Sequence, residues 1–106
     1  MSYRDLGRQS RRAAALLKAM GNPHRFLVLC ELAAAGERCV GDLEKVVGLS
    51  QSALSQHLAR LRHSKLVKTR REAQTIYYSI AGREVIAVID LLSRLFANGK
   101  HSARAA

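Results

Sequence analysis

The sequence predicts a mainly α-helical domain of five helices, with a helix-turn-helix at its centre and a two-stranded β-hairpin behind it. Three observations carry that expectation. Apolar residues recur at helical spacing in Ser10–Met20 and again in a long segment from Arg83 to Ala97. Two short helical patterns, Val40–Val47 and Gln51–His63, are joined by the tight Gly48-Leu49-Ser50 turn. Beyond them, in "LVKTRREAQTIYYSI", the period changes to that of a strand.

In chain order, Ala13, Leu16, Leu17 and Met20 give the first helix its apolar stripe, and Gly21 stops it. Asn22-Pro23 starts the second. Asn caps the free backbone donors, and proline at the first helical position gives up only an amide that had no partner. This helix, Pro23–Ala35, is apolar over most of its circumference through Phe26-Leu27-Val28-Leu29-Cys30, which predicts burial on most sides. Gly36 ends it.

The third helix, Val40–Val47, places Asp42 and Glu44 near its positive end. Ser50 caps the fourth, Gln51–His63. A hairpin follows, with strands Val67–Arg71 and Thr75–Ile80 turning at Glu72-Ala73-Gln74. The last helix carries Val85, Val88, Ile89, Leu92, Leu95 and Phe96, widened by Ile86 and Leu91. That is more apolar surface than one small core covers, so a partner subunit is expected. Residues 1–9 read as a flexible arm, 10–98 as the domain and 99–106 as a flexible tail.

With 106 residues the chain makes one domain with a modest core. A net charge of +10 beside 48% hydrophobic residues is not the composition of a disordered chain. A folded, strongly basic domain points to nucleic acid. No apolar run exceeds five residues, so nothing spans a membrane. Lys18 interrupts the only run resembling a signal peptide, and a cytoplasmic protein with free thiols at Cys30 and Cys39 is expected.

The charge is unevenly placed. Between Ser50 and Arg71 stand Arg60, Arg62, Lys65, Lys68, Arg70 and Arg71, and no Asp or Glu. Solvated helices ordinarily mix both signs. Taking Leu54 as origin, Leu58 and Leu61 fall within about 40° of it and face the core, while Ser52, Gln56, Ala59 and His63 lie opposite. Short hydroxyls allow close approach to a groove floor, and glutamine offers a donor and an acceptor to a base edge. Gln51, Ser52, Ser55 and Gln56 are therefore the candidate base readers. His57, Arg60, Arg62, Lys65 and Lys68, with Arg70, Arg71 and Gln74 on the hairpin, are the candidates for phosphate and minor-groove contact.

Four segments together, "LLKAMGNPHRFLVLCEL", "GLSQSALSQHLARLR", "LVKTRREAQTIYYSI" and "VIAVIDLLSRLF", resemble the ArsR/SmtB family of winged-helix repressors, within it the HlyU, NolR and BigR branch. The match covers about Ala13 to Phe96. The resemblance implies a winged helix-turn-helix and a homodimer that pairs through its first and last helices, with Leu16, Leu17, Val85, Ile89, Leu92 and Phe96 at the interface. It also implies a recognition helix in each major groove of a palindromic double-stranded DNA operator, and a repressor function.

The family's sensing sites are only partly present. Where arsenic-type members carry Cys-x-Cys, Cys39 is followed by Gly41; where zinc-type members place ligands, Gly82, Glu84, Leu95 and Asn98 stand. His57 and His63 lie about 120° apart on their helix and cannot close on one metal. No metal and no cofactor is expected. Cys30 matches the first thiol of the sulfur-sensing members, but no cysteine follows Cys39. Cys30 and Cys39 are the candidate thiol sensors, Cys30 by resemblance and Cys39 because Arg38 and a helix N-terminus stand beside it.

An enzyme is not expected, since no phosphate loop, metal pair or nucleophile-base constellation is visible. The rival is a non-specific basic protein of RNA or the nucleoid. RNA readers expose stacking aromatics, whereas the five aromatics here fall mostly within the apolar pattern.

Overall fold

The computed structural model describes the backbone of residues 1–105 and the side chains of residues 1–97. Six helices and three strands follow in the order α1 (Tyr3–Gly7), α2 (Ser10–Met20), α3 (Pro23–Ala35), β1 (Arg38–Cys39), α4 (Val40–Val47), α5 (Gln51–His63), β2 (Val67–Glu72), β3 (Thr75–Ile80) and α6 (Arg83–Ala105). The five expected helices and both hairpin strands are present, and two elements are added.

One addition is α1, inside the segment expected to be a flexible arm. It is held by a reciprocal cap, in which the Asp5 amide donates to Ser2 Oγ at 3.0 Å and the Ser2 amide to Asp5 Oδ2 at 3.2 Å. The other is β1, which makes the sheet three-stranded in the order β1-β3-β2, with Arg38 opposite Tyr78 and Cys39 opposite Tyr77. A two-residue strand has no alternation to read. α6 runs past its expected end at Ala97 to Ala105, through most of the expected tail, 99–106, whose side chains lie outside those described.

The starts and stops behave as their residues dictate. Asn22 Oδ1 accepts from the amides of His24 and Arg25 at 2.9 and 3.1 Å, with Pro23 in the first turn. Gly48 closes α4 in the left-handed region at φ +73°, and Ser50 Oγ takes the Ala53 amide to open α5. The turn between the two helices is therefore fixed at both ends.

The core lies where α3, α4, α5 and the root of the hairpin meet. Val28, Leu29, Leu32, Leu43, Leu54, Leu58 and Leu61 are buried together with Met20, Leu66, Val67 and Val85. Each of the large side chains contributes about 1.5–3 kcal/mol by leaving water. Leu54, Leu58 and Leu61 thus clamp one face of α5 and leave the opposite face to solvent. None of the described helices is long and apolar enough to cross a membrane.

Candidate nucleic-acid interface

Ser52, Ser55 and Gln56 are exposed on α5 away from its three buried leucines, and Gln51 is exposed in its first turn. Arg60 and Arg62 follow on the same helix, also exposed. The helix then ends in a Schellman motif: the Lys65 amide donates to the Arg62 carbonyl at 3.0 Å and the Leu66 amide to the Leu61 carbonyl at 2.9 Å. The residue in the left-handed position of that motif is Lys65, at φ +62°, where glycine is usual. The strained position is thus held by an exposed lysine just past the C-terminal end of α5. Lys68, Arg71 and Gln74 are exposed on the hairpin, whose tip is the Ala73-Gln74 pair.

Arg70, also exposed, differs from them in being paired. Its Nε and Nη2 donate to both Glu37 carboxylate oxygens at 3.0 and 2.7 Å, its Nη1 donates to Glu72 Oε2 at 2.9 Å, and its guanidinium lies 4.7 Å from the centre of the Tyr77 ring. The hydrogen bond from Arg70 holds the Glu37 carboxyl below the ordinary carboxylate range. One cation set against two carboxylates leaves this cluster negative. By strand alternation Lys68 and Arg70 share one face of the hairpin and Arg71 takes the other, with Val67 and Thr69; Arg70 differs from both in being held by Glu37 and Glu72. Arg70 pins the hairpin to the α3–β1 turn, and Arg71 is exposed with no described ion pair.

His57 also departs from expectation. It is half-buried against His24, with ring centres 5.7 Å apart. Burial, then the nearby charges of Arg25, His24 and Arg60, lower its pKa below the usual histidine value, so at neutral pH it brings no charge to a phosphate.

The apolar side of the expected pairing surface is corrected at one residue. Val85 is 0% exposed inside its own chain's core and has nothing left to offer a partner. Leu16 and Ile89 are half-buried against that core, and Leu92 is half-buried as well. Leu17 and Phe96 are open, at 62% and 71% exposure, and Leu91 and Leu95 join them.

Of the two thiols, Cys30 is half-buried, and burial raises its pKa. Cys39 stands at the N-terminal boundary of α4, and its thiol donates to Asp42 Oδ2 at 3.3 Å. Among the described residues no three of His, Cys, Asp and Glu converge as a metal site would require.

Comparison with known proteins places this geometry. The profile described as bacterial regulatory protein, arsR family, matches residues 22–69, from the Asn22 cap into β2. Over 96 residues the chain is 49% identical to the transcriptional activator HlyU of Vibrio cholerae, covering 91% of this chain and 88% of that protein. The chain belongs to the arsR family.

Solved structures of the family agree with the fold. NolR from Sinorhizobium fredii superposes with a TM-score of 0.79 at 47% identity, covering 91% of this chain and 94% of that one. The transcriptional repressor BigR from Xylella fastidiosa reaches 0.85 at 33% identity, covering 91% and 97%. This arsR-family chain is thus a DNA-binding transcriptional regulator with a winged-helix fold. Sequence reasoning missed Lys18 and Arg25 near the α5 end, because nothing local shows that α2 and α3 bring them there. It also missed Glu37 as the partner of Arg70, which lies 33 residues away.

Proposed function

We propose that this chain is a sequence-specific repressor that binds a palindromic double-stranded DNA operator as a homodimer. The observation that carries the reading is the exposed Gln51, Ser52, Ser55 and Gln56 face of α5, bordered by Arg60, Arg62, Lys65 and Lys68 with no described carboxylate paired to them. Such a helix enters a major groove with its N-terminal residues at base edges, while the cations hold the backbone. The open Leu17, Leu91, Leu95 and Phe96 support pairing of two copies through α2 and α6. Half-sites should then lie about one helical turn apart. Among relatives, the biofilm growth-associated repressor of Xylella fastidiosa supports repression.

The test is enrichment of bound fragments from random duplex, followed by titration of wild type and Gln56→Ala. Gln56→Ala should lose about 1–3 kcal/mol on the enriched site and little on random duplex. Equal losses on both would remove Gln56 as a base reader, and binding without any preference would favour a non-specific RNA or nucleoid protein. An inducer, if thiol-reactive, acts at Cys30 or Cys39. Operator titration of Cys30→Ser and Cys39→Ser with and without a persulfide donor separates the two.

A further inference from the structure

A cleft of about 420 Å³ opens between the C-terminal halves of α2 and α5, lined by Lys18, Arg25, Arg60 and His63 over a floor of small residues that includes Ala15 and Ala59. No Asp or Glu lines it, and none of the four basic residues is in a described ion pair. Its deepest cation is Arg25, only 8% exposed. Arg25 Nε and Nη2 donate to the carbonyls of Ala19 and Lys18 at 2.7 and 3.1 Å, which fixes the guanidinium against the end of α2. Nη1 has no partner among these bonds. Since no fully buried side-chain nitrogen or oxygen among the described residues lacks a partner, Nη1 meets solvent, and the cleft is the space that Arg25 lines.

The helix ends work against an anion here, because α2 and α5 both close at the cleft with their negative poles. Each pole counts for about half a charge, so the two together offset about one of the three permanent cations. The cleft stays positive by about two charges. Ala59 and His63 belong to the outward face of α5, so the cleft continues the face that carries Gln56 toward the helix's C-terminal end. A recognition helix that reads bases with its N-terminal residues lifts over the sugar-phosphate strand at that end.

We propose that this cleft is a phosphate site, which takes a backbone phosphate of the bound duplex and brings α2 and α3 into the DNA contact through Lys18 and Arg25. The inference rests on the duplex-binding reading and adds to it. Lys18 is exposed, so Lys18→Gln removes one cation while keeping a good helix former, and Ala15→Glu places a carboxylate in the cleft.

Affinity would be measured on the enriched duplex and on random duplex over a range of salt. Lys18→Gln should weaken both alike and reduce the slope of log K against log salt by about 0.9, and Ala15→Glu should weaken both further. Replacing phosphates one at a time by neutral methylphosphonate should reveal one flanking position that costs wild type affinity and costs Lys18→Gln nothing more. Wild-type slope and affinity in both variants, with Gln56→Ala still discriminating, would overturn the cleft and leave the duplex reading standing. Saturable binding of pyrophosphate that Lys18→Gln abolishes, with duplex slopes unchanged, would reassign the phosphate to a small molecule and overturn the duplex source. Wild type that binds no duplex would overturn both.

Discussion

Lys65 holds a backbone conformation that suits glycine and a side chain that suits DNA, so replacing it should move stability and binding in opposite directions. At φ +62° its Cβ crowds the following carbonyl, which costs a non-glycine residue about 1–2 kcal/mol. Lys65→Gly removes that strain, but a freer unfolded chain takes back about 0.5–1 kcal/mol. The two Schellman hydrogen bonds, from the Lys65 and Leu66 amides, survive the change. At mid-range values a net gain of about 0.75 kcal/mol remains, or about 3–6 °C in Tm for a domain of this size. Lys65→Ala is the control, since it keeps the strain and loses the ammonium. Thermal unfolding by circular dichroism at one fixed protein concentration gives the stabilities. Fluorescence anisotropy on labelled operator over a salt range gives the binding, and both variants should show a salt slope smaller by about 0.9. Equal Tm values for Lys65→Gly and Lys65→Ala would refute the strain, and an unchanged salt slope would refute the phosphate contact.

Arg71→Gln should weaken binding to every duplex with the salt slope of one lost contact, whereas Arg70→Gln should act by releasing Glu37 and Glu72 beside the wing. Adding Glu37→Gln to Arg70→Gln should then recover part of the affinity in the same anisotropy assay; no recovery would mean that Arg70 touches DNA itself. His57 has a folded pKa below its unfolded value, so the unfolded chain binds more protons and stability falls as pH drops below about 6.5, the ordinary histidine value. Urea unfolding from about pH 7.5 to about pH 5, which brackets that value, should show a smaller loss for His57→Gln than for wild type. Arg25→Met strips two charged hydrogen bonds from the end of α2 and should cost about 1.5–3 kcal/mol by denaturant midpoint; a loss below 0.5 kcal/mol, about the scatter of surface substitutions, would show that Arg25 does not cap α2.

What the sequence determined by itself is what one segment can decide with its own neighbours and water. Asn22-Pro23 starts α3 because the cap and the ring act within a single turn, and the Oδ1 bonds to His24 and Arg25 are where local chemistry puts them. Leu54, Leu58 and Leu61 decide which face of α5 is buried, so the opposite, solvent-facing residues were legible in the sequence. Periodicity says that a side chain turns inward; it does not say against what. Val85 and Phe96 sit on one apolar stripe, yet only the packing of α6 against the core buries the first and leaves the second open. Arg70 and Arg71 are adjacent and chemically alike, and their roles part because the strand turns one toward Glu37, 33 residues earlier in the chain, and the other toward solvent. β1 exists only as a partner for Tyr77 and Tyr78. The basic cleft likewise needs α2, α3 and α5 together, because Lys18, Arg25 and Arg60 become one electrostatic site only when folding brings their three helices side by side.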